Sequence, residues 1–66
     1  MGMTVELART VFNLKKDDEV DMQKIIAVGK EMREVLKQKG LGRKERISAE
    51  TKLNACIVLY TGKELK

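Results

Sequence analysis

Cys56 is the only cysteine in the chain, and there is no histidine. A thiol becomes a nucleophile when a neighbouring base or cation stabilises its thiolate, and general acid–base work falls most often to His. Cys56 sits instead in the unbroken apolar run Ala55 to Tyr60, where desolvation favours the neutral thiol and leaves it inert. One cysteine closes no intrachain disulfide and completes no zinc site without His, so it reads as a small hydrophobe in a reducing compartment. The expectation is a non-enzymatic chain with no cofactor, no metal and a cytoplasmic location.

Two further clusters have the residue types but not the spacing for ligand chemistry. Asp17-Asp18-Glu19-Val20-Asp21 is rich in carboxylates, yet it lacks the alternating ligands and turn glycine of a calcium loop. Acids in the first turn of a helix also have a sufficient reason to be there in the helix dipole. Gly40-Leu41-Gly42 followed by Arg43-Lys44 lacks both the spacing and the preceding strand of a phosphate-binding loop.

The most distinctive stretch is basic. Lys37, Lys39, Arg43, Lys44 and Arg46 stand against Glu45 alone, and Lys30 and Arg33 share a helix shoulder with Lys37. If these side chains converge, they form a patch for nucleic-acid phosphates or an acidic protein surface. The bland alternative is a solvated turn whose cations favour a helix C-terminus. Charge is polarised along the whole chain: within the formal total of +4, the first third is net acidic and the middle net basic. Such polarity can recruit an anionic partner or let two copies pack head to tail. Sequence-specific reading by a helix-turn-helix is disfavoured, because the expected turn is long and the segment after it is too apolar for a major groove. Stacking on single strands is also disfavoured, because Phe12 and Tyr60, the only aromatic residues, sit in core-like patterns.

Sixty-six residues allow one domain of marginal stability, with no Pro and apolar content drawn mainly from Leu, Ile, Val and Met. This is the composition of a helical domain. Over about 18–39, Met22, Ile25, Ile26, Val28, Met32, Val35 and Leu36 fall within half a helical wheel, which predicts a long amphipathic helix. Asp17 or Asp18 would cap it, and Gly40 would close it with Leu41 against Leu36. Over about 48–62, Ser48 would cap a further helix ending at Gly62, with Leu53, Cys56, Ile57 and Tyr60 on one face, although the run from Ala55 also suits a buried strand. Such a helix is apolar on nearly every side in its last turns and should lie between neighbours. Over about 4–13, Val5, Ala8, Val11 and Phe12 form a stripe behind a Thr4 cap, with a strand again an alternative. Residues 40–47 would be a basic turn.

The fold expected is therefore all-α, three helices with the long central one from 18 to 39, completed by homodimerisation; the alternative is α+β with strands at both ends. Gly29 costs about 1 kcal/mol against Ala in a helix, which invites a close helix crossing. Met22, Ile25, Gly29, Met32 and Leu36, joined by Ile57 and Tyr60, are the expected self-association surface. No apolar stretch reaches a membrane span, and no secretory signal is visible. Met1-Gly2-Met3 reads as either a native start or a cloning scar. The function expected first is a small regulatory or adaptor protein that dimerises and binds a protein partner. A nucleic-acid-binding dimer using the 37–46 bases and a purely structural oligomerisation module are the alternatives.

Overall fold

The computed structural model describes residues 2–65. Met1, on which the choice between native start and cloning scar turns, lies outside them. The chain is all-α: α1 spans Val5–Val11, α2 Met22–Leu36 and α3 Arg43–Thr61. The strands considered for the two ends are absent among the described residues. What joins those ends is a single antiparallel bridge, with the Met3 N–H donating to the Leu65 carbonyl at 2.8 Å and the Leu65 N–H to the Met3 carbonyl at 3.0 Å.

Three helices form as expected, but the longest is not the one from 18 to 39. α3, of 19 residues, is the long central helix; α1 and α2 each pack against it and not against each other. It begins at Arg43 rather than Ser48, so most of the expected 40–47 turn is helical. Arg, Lys and Glu are good helix formers, and nothing between Gly42 and Ser48 breaks the helix. Gly42 occupies the N-cap with no side-chain hydrogen bond, which leaves Ser48 inside the helix. The far end is as the sequence suggests: Gly62 takes a left-handed conformation at φ 73°, and its N–H donates to the Val58 carbonyl.

α2 is shorter than 18–39 at both ends. Its cap is Asp21, whose carboxylate accepts from the N–H groups of Gln23 and Lys24 at 3.1 and 3.3 Å. Asp18 is otherwise engaged, accepting from the Lys15 N–H at 2.7 Å. The Arg9 guanidinium then draws the carbonyls of Lys15, Lys16 and Asp18 onto one nitrogen, with the last at 2.7 Å, and this holds 14–18 out of helix. At its other end α2 stops at Leu36 with Lys37 still right-handed, its final turn tightened by a bond from the Gln38 N–H to the Val35 carbonyl. Gly40 does adopt φ 78°, but it lies inside the turn to α3 and does not close α2, so the expected Leu36–Leu41 closing motif does not form.

α1 is capped as expected by Thr4, whose hydroxyl oxygen accepts from the Leu7 N–H at 3.1 Å. A second acceptor comes from the opposite end of the chain. The Glu64 carboxylate takes the Val5 N–H at 3.1 Å, so one carboxylate satisfies a helix terminus and ties the chain ends together.

The core is small: Ala8, Ile25, Ala55, Cys56, Val58 and Leu59, with Phe12, Leu14, Val20 and Val28 among the half-buried side chains packed on it. Most of it comes from the last turns of α3, which are enclosed because α1 covers one side and α2 another. Both neighbours that the apolar run requires are thus supplied within one chain.

Candidate functional site

α2 and α3 form an antiparallel hairpin with a depression along each side. One is an open groove of about 410 Å³. Ile25, Ile26 and Gly29 of α2 and Leu53, Cys56, Ile57 and Tyr60 of α3 line it, and Lys30 and Arg33 stand on its α2 rim. The second is shallower and more mixed, bounded by Met32, Val35, Leu41 and Ala49 together with Gln38, Lys44, Glu45, Ser48 and Lys52.

The first groove has the stronger character because its apolar side chains remain wet. Ile26 is 41% exposed, Met22 one turn before it 43%, and Tyr60 opposite 61%. Tyr60 is therefore not the core residue its pattern suggested; the last turn of α3 projects it past the end of the covered segment. Ile57 is half-buried between them. Exposed Met22, Ile26 and Tyr60, with half-buried Ile57, make an apolar strip.

Of the residues expected to mediate self-association, Ile25 is withdrawn: at 3% exposure it belongs to the core of its own chain. Met32 and Leu36 are half-buried, and Met32 borders the second depression. Gly29 faces α3 of its own chain at a spacing that does not require a glycine. A Cβ built there would meet the Cys56 Cβ at 3.6 Å and Sγ at 4.0 Å, ordinary contact distances between α2 and α3 that leave room for a methyl but not for a larger side chain. Bulk at this position would disturb the monomer before any assembly. Met22 and Tyr60 are exposed and Ile57 is half-buried at the groove, joined by exposed Ile26, which the wheel places on the apolar face outside the expected self-association set. Its exposure follows from the angle at which α3 crosses α2, which no periodicity reveals.

The basic residues divide among the two depressions and the exposed surface. Lys30 and Arg33 border the first groove, while Lys44 borders the second on the other side of the hairpin. Lys37 pairs with Glu34 at 3.4 Å, the sole ion pair among the described residues. Lys39, Arg43 and Arg46 are exposed. The most concentrated charge left is the first turn of α3, where Arg43, Lys44 and Arg46 now lie on a helix rather than in a turn.

Burial pushes the Cys56 thiol above the ordinary cysteine value, which disfavours the thiolate a nucleophile needs. Among the described residues no group of three or more His, Cys, Asp or Glu is arranged to hold a metal ion. No helix among them is long and apolar enough to cross a membrane.

The site thus defines a small helical module with an apolar, cation-rimmed interhelical groove. No protein-family model, curated protein or solved structure matches the chain.

Proposed function

We propose that this chain is a non-enzymatic regulatory or adaptor protein that works by pairing its helical surface with another helical surface. The observation that carries the reading is the α2–α3 groove, where Ile26 and Tyr60 stand exposed beside half-buried Ile57, with exposed Met22 one turn before Ile26 and the cations Lys30 and Arg33 along the α2 rim. An amphipathic helix laid along a groove buries its apolar face there, and rim charges set its orientation and choice of partner. The matching surface carries Leu- or Ile-type side chains at helical spacing, flanked by carboxylates.

A second reading has its own observation. Arg43, Lys44 and Arg46 crowd the first turn of α3 with Glu45 as their one acidic neighbour, which suits contact with nucleic-acid phosphates. Fluorescence anisotropy separates the two. A labelled acidic amphipathic helical peptide, its scrambled counterpart and a random-sequence duplex are each titrated with the chain at about 50 and then about 200 mM salt. Saturable binding of the amphipathic peptide alone, weakened at least about tenfold by Tyr60→Glu, is the expected result. Duplex binding that collapses with salt and vanishes in Arg43→Glu/Arg46→Glu, with no peptide binding, would replace it with the nucleic-acid reading.

A further inference from the structure

We infer that the groove's occupant is α2 of a second copy of this chain, packed antiparallel about a twofold axis; this rests on the interaction reading above and names its partner. Three observations carry it: the area left open, the spacing along α2, and the order of charges along the same helix.

The chain exposes 5438 Å². A compact monomer of 7.5 kDa exposes about 4,200 Å², so roughly 1,200 Å² is in excess. A standard interface takes about 800 Å² from each partner, which this excess accommodates. The body measures 39 × 25 × 18 Å, elongated rather than spherical.

Along α2, Met22, Ile26, Gly29 and Arg33 recur at the four- and three-residue steps of a helix–helix seam. The set is also symmetric: an axis level with the midpoint of Ile26 and Gly29 is level with the midpoint of Met22 and Arg33. A twofold axis there, in which the same patch serves both copies, sets Ile26 of each copy over the depression at Gly29 of the other. Two α2–α3 hairpins then assemble as a four-helix bundle with the α2 pair at its centre.

Charge selects the antiparallel sense. Asp17, Asp18, Glu19 and Asp21 precede or cap α2, while Lys30 and Arg33 of its second half stand on the groove rim with Glu31 and Glu34 as sequence neighbours, and Lys37 follows the helix paired with Glu34. Parallel packing would set like ends together. Antiparallel packing brings Arg33 of each copy beside Asp21 and Met22 of the other, so each groove's cations meet carboxylates at the end of a helix whose apolar strip fills the groove.

Sedimentation equilibrium of the full chain at tens of micromolar tests the inference. Wild type is expected at twice 7.5 kDa in about 50 mM salt, with at least about tenfold weaker association at 500 mM. Ile26→Glu should run as a monomer with the helical circular dichroism of wild type, since a side chain 41% exposed tolerates the change within one chain. Arg33→Glu should weaken association about tenfold or more. In a Cys56→Ala background, spin labels at position 37 should lie about 30 Å apart across the dimer, against about 10 Å if the helices ran parallel. A monomeric wild type overturns the inference, as does a short label distance. If such a monomer still binds the acidic peptide, the interaction reading stands; if it binds neither peptide nor duplex, both fall.

Discussion

The two halves of α3 are one continuous helix with opposite characters. From Arg43 to Glu50 every residue is exposed except Ala49, whereas Ala55, Cys56, Val58 and Leu59 are all buried. The covered half lies between α1 and α2, with the clasped chain ends beside it. The other half has one side of α2 as its neighbour and a short turn beyond. The difference teaches where this molecule keeps its stability. A core of so few side chains, at roughly 1.5–3 kcal/mol for each large apolar one buried, leaves little reserve once conformational entropy is met. The enclosed half therefore sustains the fold, and the groove proposed as the interaction site lies against that same half, at Leu53, Cys56, Ile57 and Tyr60.

Breaking the enclosed half should have the largest effect. Leu59→Ala, at a site 7% exposed, is expected to cost about 3 kcal/mol and to leave much of the protein unfolded at 37 °C, whereas Ile47→Ala, at 53% exposure, should cost less than about 0.5 kcal/mol. Urea unfolding followed by circular dichroism compares them directly. Equal losses would show that the exposed half is not as free as its surroundings indicate.

The polar clasp comes next. Arg9 gathers three carbonyls of the 15–18 loop, so Arg9→Ala should cost about 2 kcal/mol and speed hydrogen exchange of the Leu14 and Lys15 amides, while exchange in α3 slows or quickens only with global stability. Uniform loss of protection would mean that the loop has no unit of its own.

The smallest effect sharpens the comparison by strengthening it. Gly29→Ala places its methyl at ordinary contact distance from Cys56, so the helix-propensity gain of about 1 kcal/mol should be realised in full and raise the urea midpoint. A lower midpoint would mean that α2 and α3 must lie closer than 3.6 Å permits.

Much of the local structure was legible in the residues. The Thr4 cap and the helix end at Gly62 follow from short-range rules, and both are present, whereas the run from Ala55 to Tyr60 suits helix and strand alike and is helix. The boundaries were less legible because competing local signals could be read equally well. Ser48 is a good cap, but the helix formers upstream carry α3 five residues further back. Asp18 is also a good cap, but its carboxylate is taken by the Lys15 amide and its carbonyl by Arg9, a side chain nine positions away. Within the candidate site, Met22, Ile57 and Tyr60 were named from periodicity. Ile26 was not singled out, and Ile25 was placed on the wrong side of the boundary between core and surface. Adjacent residues lie about 100° apart on a helical wheel, so Ile25 and Ile26 stand at different positions on one broad apolar face, and only the packing of α3 decides which of them is covered.

The sequence by itself determined that this chain is helical, because its composition, spacing and caps act over a few residues. It also set the polarity of charge along the chain and the absence of His, which are facts of the residues alone. Tertiary structure alone decided that α3 and not α2 is central, that the cations fall on opposite sides of a hairpin, and that Gly29 meets Cys56. Each of those depends on helix crossings between residues far apart in the chain, and a crossing is fixed by the joint packing of two surfaces rather than by either one.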